Sequence, residues 1–217
     1  MTFSEENYLK AIYHLSTFDE AEVSTNAIAE MMDTKASSVT DMLKKLAEKE
    51  LVYYKKYQGA SLTEKGRLMA KMIVRKHRLW EVFLVEKLDF TWDEVHDVAE
   101  QLEHIRSEKL IDKLDDFLGH PTEDPHGDPI PDGNGKMITV DKLLLSEAKE
   151  NQEVICVGVK DTSAEFLQYL DRQGIALGSK IKIVAIEPFD LSVIIKIDEK
   201  QVIVSDKTAT NLYVKLG

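Results

Sequence analysis

A single cysteine, Cys156, stands among the 217 residues. No internal disulfide can form, and a reducing compartment, the cytoplasm by default, is expected. Long apolar runs are missing too, since no stretch approaches the roughly 18 apolar residues of a membrane span. The segment MTFSEENYLK is too acidic and polar for a secretory or transit signal. The chain also lacks an HExxH helix, a Gly-rich phosphate loop and a nucleophile elbow, which removes the commonest hydrolase and nucleotide-binding signatures. Four of its five prolines fall in residues 119–136, which read as loop or linker. Positive charge is short overall: 28 Lys and Arg face 39 Asp and Glu, for a net −11.

That average hides an asymmetry. Residues 1–33 carry one Lys against seven acids, and residues 79–124 carry four basic groups against fourteen. Between them, residues 34–78 carry twelve Lys and Arg against four acids. Phosphate attraction is local, because charges farther apart than a Debye length of ~10 Å are largely screened. One basic block in an acidic protein is therefore compatible with nucleic acid.

The same block has the pattern of a DNA-reading module. Tyr8, Leu9, Ile12, Tyr13 and Leu15 recur at helical spacing over 5–16. Ser24 or Thr25 can cap a short helix bearing Ile28, Ala29 and Met32. A turn leads to a helix from about Ala36 to Lys49, with Val39, Met42, Leu43 and Leu46 inward, and LVYYKKYQGASLT reads as a hairpin around Gln58-Gly59. Helix, helix-turn-helix, then hairpin is the winged-helix order. In the second helix of the pair, Lys35, Ser37, Ser38, Thr40 and Asp41 present short polar groups to base edges or phosphates. Lys44 and Lys45 follow, and Lys55, Lys56, Tyr57 and Gln58 decorate the wing.

Thr63 caps a long helix to about Lys87. Thr91-Trp92-Asp93-Glu94 is a capping box that opens another, to about Ile105, and Ser107–Leu118 forms a third, stopped by Gly119. A short bridging helix is predicted over Val140–Lys149. Beyond it the runs VICVGV, KIKIVAI, LSVIIKI and QVIVS, interrupted by a helix over Ser163–Gln173, point to a small barrel.

Between residues 77 and 104 histidines and acids fall into register. His77 and Glu81 are four apart, as are His96, Glu100 and His104, with Glu103 beside them. Such spacing puts side chains on one helical face. His96 can meet His77 and Glu81 across a helix pair, while Glu100, Glu103 and His104 form a second cluster. A solvated acidic face explains any one of these residues. The six together favour a divalent metal, and a set rich in oxygen and free of thiolate leans to Mn(II), with Fe(II) next and Zn(II) or Co(II) as substitutes in vitro.

Taken in order, EENYLKAIYHL, ASSVTDMLKKLAEKELVYYKKYQGASLTEKG, RKHRLWE, VHDVAEQLEHIRSE and PHGDPIP resemble the diphtheria toxin repressor family over essentially the whole chain, particularly its manganese-responsive branch. The resemblance implies a mainly α fold with small β parts. Its domains would be a winged helix-turn-helix over 1–71, a helical metal-binding and dimerisation domain over 72–136, a linker over 137–150 and an SH3-like barrel, similar to ferrous-iron-transport accessory domains, over 151–217. It implies a regulatory metal position built from Glu100, Glu103, His104 and Asn7, and an ancillary one built from His77, Glu81 and His96, completed by Glu165 and by Asp161 or Thr162. Iron-responsive members tend to carry Cys where this chain has Glu100. The family usually has Met or Asp in place of Asn7, leaving ligation through its amide oxygen, through water, or not at all. Some manganese-type members have a carboxylate in place of Lys10.

The function so implied is that of a cytoplasmic, metal-dependent repressor. A homodimer would hold two reading heads one DNA turn apart on double-stranded operator DNA, without membrane contact. Two other readings remain: a metal-independent winged-helix regulator of an organic effector, and a dinuclear metallohydrolase, for which no base stands apart from the ligands.

Overall fold

A computed structural model describes residues 1–16, 22–138 and 141–217. Cα packing divides the chain into two compact units. One comprises 1–80, 100–114 and 130–137, the other 81–99, 115–129 and 138–217.

The first unit opens with helix α1 (Phe3–Leu15), whose N-terminus is closed by a reciprocal Thr2/Glu5 capping box. Helix α2 (Thr25–Met31) starts at Ser24, whose hydroxyl accepts from the Ala27 N–H; of the two candidate caps, Ser24 is the one used. Helix α3 (Ala36–Glu48) has Lys35 at its N-cap with no side-chain cap bond, so neither Ser37 nor Ser38 serves as the cap. Strands β1 (Val52–Lys55) and β2 (Gly59–Leu62) pair antiparallel around a three-residue turn. Gly59 adopts φ +111, and a Cβ there would come within 2.5 Å of the Val23 carbonyl. That close approach lets Val23 bridge to Ala60 and extend the wing. Leu9, Ile12, Ile28, Val39, Leu43 and Leu46 are fully buried in this unit's core, each contributing roughly 1.5–3 kcal/mol of apolar burial.

Helix α4 (Glu64–Leu88) is capped by Thr63, whose hydroxyl accepts from Gly66 N–H at 3.0 Å. Helix α5 runs only from Val95 to Leu102, shorter at both ends than the capping box suggests. Glu94 does reach back to the Thr91 N–H, but Trp92–Glu94 form a turn. Helix α6 (Glu108–Leu118) ends at Gly119, as its positive φ of +75 requires.

The second unit is built on an antiparallel six-stranded sheet. Its strands are β3 (Leu143–Leu144), β4 (Glu153–Val159), β5 (Lys180–Ile186), β6 (Val193–Ile197), β7 (Lys200–Val204) and β8 (Leu212–Leu216), ordered β3-β8-β4-β5-β6-β7. Helix α7 (Ala164–Gln173) packs Leu167 and Leu170 into the sheet core and stops at Gly174, and a short helix α8 (Asp206–Ala209) precedes β8. The bridging helix predicted over Val140–Lys149 does not form. Val140 lies outside the described residues, Leu143 and Leu144 pair with β8, and Leu145–Glu147 make a single 3-10 turn. Leu145 is wholly buried against the sheet, so its side chain is better used in the barrel core than on a helix face.

Candidate metal centres and nucleic-acid interface

Glu103 and His104 follow directly after α5, in a turn rather than on the helix, yet both meet α1. Glu103 is fully buried. Its carboxylate accepts from the Lys10 ammonium at 2.7 and 2.8 Å and faces His77 Nδ1 at 2.7 Å. Burial alone would raise its pKa, but the hydrogen bond to His77 and the Lys10 charge outweigh that and hold it below the ordinary carboxylate range. Glu100 Oε1 lies 3.6 Å from the same ammonium. His104 Nδ1 is 2.7 Å from Glu6 Oε2, and its ring stacks on Phe3 with centroids 4.5 Å apart. Asn7 Oδ1 is buried with no hydrogen-bond partner among the described residues.

Glu100, Glu103 and His104 are thus gathered beside α1, and Asn7 lies on the same helix with an unsatisfied acceptor. Two α1 residues in this group, Glu6 and Lys10, were not among the sequence candidates. The signal for Glu6 was its position next to Asn7 in EENYLK, but which face of α1 it takes is a tertiary matter.

Of the ancillary candidates, His77 joins Glu103. Glu81 is buried in the second unit and gathers with two residues absent from the sequence candidates, Asp124 and His126. Ligand atoms of Glu81, Asp124 and His126 all fall within 4.8 Å of one another, and each residue is buried. His96 Nδ1 lies 3.6 Å from Glu81, with its side chain 57% exposed. Asp161 accepts from the Ser163 N–H, and Glu165 is exposed in the first turn of α7.

The Asp124–Asp128 loop presents the two new residues. Asp124 Oδ1 accepts from the backbone N–H groups of His126 and Asp128. Gly127 has φ +80, and a Cβ there would sit 2.0 Å from the Val157 carbonyl, so only glycine lets this loop lie against β4. The His126 Nε2 donates to the Trp92 carbonyl at 2.8 Å, which leaves Nδ1 facing Glu81 at 3.8 Å and Asp124 at 3.9 Å. A carbonyl behind one ring nitrogen and carboxylates before the other is the outer-sphere arrangement of a metal-binding imidazole. Burial would lower the His126 pKa, but Glu81 and then Asp124 raise it to about 9. The signal lay in DPHGD, where Asp124 and His126 form an i,i+2 acid–histidine pair in a loop.

The donor chemistry of both clusters fits a divalent ion. One combines carboxylates and imidazole with an orphaned amide oxygen. The other is a buried set of two carboxylates and an imidazole, with no thiolate.

On α3, Lys35, Ser37, Ser38, Asp41, Lys44 and Lys45 are exposed. Asp41 pairs with Lys44 at 3.3 Å, and the Thr40 hydroxyl donates back to the Ala36 carbonyl. At the wing, Lys55, Lys56 and Gln58 are exposed, and Tyr57 is 92% exposed at φ +69 with the Lys56 ammonium 4.9 Å from its ring centroid. No helix among the described residues is long and apolar enough to cross a membrane.

Residues 1–60 match the iron dependent repressor N-terminal DNA binding domain, and residues 63–132 match its metal binding and dimerisation domain. Residues 143–216 match the FeoA domain. The chain is 37% identical over 127 residues to the iron-dependent repressor IdeR of Mycobacterium bovis, which covers 58% of this chain and 54% of that protein. It therefore spans about half the length of the curated relatives it matches. It is 35% identical over 123 residues to the HTH-type transcriptional regulator MntR of Oceanobacillus iheyensis, covering 57% of this chain and 82% of that one. A solved manganese-dependent transcriptional repressor in complex with manganese superposes with a TM-score of 0.86 at 34% identity, over 98% of this chain and all of the other. With its winged helix, helical region and FeoA-type sheet in the same order, this chain belongs to the iron-dependent (diphtheria toxin) repressor family.

Proposed function

We propose that the protein is a divalent-metal-dependent DNA-binding transcriptional repressor of metal-ion homeostasis, acting in the cytoplasm as a homodimer on double-stranded operator DNA. It is a regulator and not an enzyme. Residues 1–71 read DNA, 72–136 bind metal and dimerise, 137–150 link, and 151–217 form the SH3-like domain.

The observation that carries the reading is the double anchoring of α1. Glu6 and Lys10 tie this helix to His104 and Glu103, while Glu5 Oε1 accepts from Lys49 Nζ, at the end of α3, at 2.6 Å. One rigid helix thereby spans from the acidic cluster to the reading helix. Glu100, Glu103, His104 and Asn7 would hold the regulatory ion. Glu81, Asp124 and His126, with the sequence candidates His77, His96, Asp161 and Glu165, would supply the ancillary set. Mn(II) is the preferred ion, because the donors are oxygen and imidazole, and Fe(II) is next. A bound cation would supply positive charge that offsets the mutual repulsion of Glu6, Glu100 and Glu103. The chain's part is to fix α1, and with it α3, when those carboxylates are neutralised. Lys35, Ser37, Ser38, Thr40, Asp41, Lys44 and Lys45 then face the major groove, while Lys56 and Tyr57 reach the flanking backbone.

The test is electrophoretic mobility shift on promoter DNA with EDTA, then with Mn(II), Fe(II), Zn(II) or Co(II) added singly, for the wild type and Glu100→Gln. Metal-stimulated binding in the wild type that is lost in the variant is expected. Equal binding in EDTA would establish the metal-independent regulator instead.

A further inference from the structure

The Lys10 ammonium lies against two carboxylates of the regulatory cluster. It contacts both oxygens of the fully buried Glu103, at 2.7 and 2.8 Å, and reaches Glu100 at 3.6 Å, with its own side chain only 13% exposed. A buried carboxylate stripped of its cation is strongly destabilising. Lys10, with His77 on Glu103 Oε2, meets that need from within the chain. One turn before Lys10 on α1, the acceptor of Asn7 is left without a partner among the described residues. Glu103 thus has a cation drawn from the chain while the Asn7 acceptor has no donor, as expected of a site whose resident cation is a stand-in for another.

We propose that Lys10 is a tethered counter-cation that holds the regulatory carboxylates in the metal-free protein and must vacate them for a divalent ion, so that it sets the metal concentration at which the protein responds. The inference rests on the regulatory-site reading above. An ammonium and a dication cannot share the same pair of buried carboxylate oxygens, since like charges a few ångströms apart repel strongly where water is excluded. The Lys side chain suits the role, being a compact charge on a flexible four-carbon stem that can swing aside without moving α1. The metal must therefore displace an existing ion pair. The affinity it shows is the intrinsic affinity of the donors reduced by the stability of the Lys10–Glu103 contact.

Isothermal calorimetry with Mn(II) on the full chain, for the wild type, Lys10→Met, Lys10→Arg and Glu100→Gln, decides the matter. Lys10→Met should bind Mn(II) at least tenfold more tightly at the regulatory site, whereas Lys10→Arg should stay within about threefold of the wild type. In chelator, Lys10→Met should melt below the wild type, and the gap should close at saturating Mn(II). A packing role alone would lower both melting temperatures equally. In the unmodified protein, brief lysine acylation read by mass spectrometry should label Lys10 several-fold faster with Mn(II) than with EDTA. Unchanged or weaker Mn(II) affinity in Lys10→Met, or unchanged Lys10 labelling, overturns the proposal. If Glu100→Gln binds Mn(II) like the wild type, the regulatory-site reading itself fails, whatever Lys10 does.

Discussion

Lys49 Nζ donates to Glu5 Oε1 at 2.6 Å, fastening the C-cap residue of the reading helix to the first turn of the helix that carries Glu6, Asn7 and Lys10. The Lys49 hydrogen bond also holds the Glu5 carboxyl below its ordinary pKa. Lys49 remains half exposed while Glu5 is buried, so the pair contributes only about 0.2–1 kcal/mol to stability. Its larger role is mechanical. Glu5→Gln should lower the melting temperature by no more than a few degrees, but reduce the Mn(II)-induced gain in DNA affinity several-fold. Parallel thermal melts and operator titrations with and without Mn(II) measure both effects, and an undiminished Mn(II) gain would refute the mechanical link.

Asn7 offers a test of opposite signs. Replacing a buried acceptor without a partner by an apolar group of similar size removes a desolvation penalty of about 1–3 kcal/mol. Asn7→Leu should therefore raise the melting temperature in EDTA while weakening Mn(II) binding, and Asn7→Asp should strengthen Mn(II) binding. If Asn7→Leu leaves calorimetric affinity unchanged, the amide oxygen is no ligand.

His126 gives the metal-free protein a defined pH dependence. Its folded-state pKa of about 9 exceeds the ordinary 6.5, so the folded chain holds the proton more tightly than the unfolded one. The stabilisation is complete below about 6.5 and disappears as pH rises through about 9. In chelator, thermal stability should fall over that window, and His126→Gln should flatten the slope. Metal binding at Glu81, Asp124 and His126 expels the same proton, so Mn(II) affinity there should rise with pH over the same window.

The loop that shapes this second cluster depends on Gly127. Gly127→Ala combines a positive φ with a backbone clash of 2.0 Å and should cost about 1–3 kcal/mol or more. Calorimetry should show metal lost at this cluster while the Glu100/Glu103/His104 site still binds.

At the wing, Lys56→Ala should weaken operator and random DNA alike. The slope of log K against log salt should become shallower by about 0.9, the effect of one phosphate contact. A loss confined to the operator would instead mean that Lys56 reads bases.

Much of the molecule was legible from residue patterns. The winged-helix order, the Thr63 cap, the Gly119 stop and the i,i+4 register of His96 and Glu100 all follow from local periodicity and capping. Local rules failed where the partner is distant. Val140–Lys149 reads as helix until Leu143 and Leu144 are offered β8 and Leu145 a place in the barrel core. By periodicity Glu103 and His104 belong to the helix, but the turn that releases them from α5 is set by their partners on α1.

The sequence alone determined which chemistry is present: carboxylates and imidazoles without thiolate, and a basic block carried on a helix-turn-helix and hairpin. These depend on residue identity and on spacings of three or four, which a helix converts directly into shared faces. Only the tertiary structure decided how those groups are shared out. It turned His77 Nδ1 to Glu103, brought Asp124 and His126 beside Glu81, and set Lys10 on the regulatory carboxylates, because the packing of distant segments decides which polar groups meet where water is excluded.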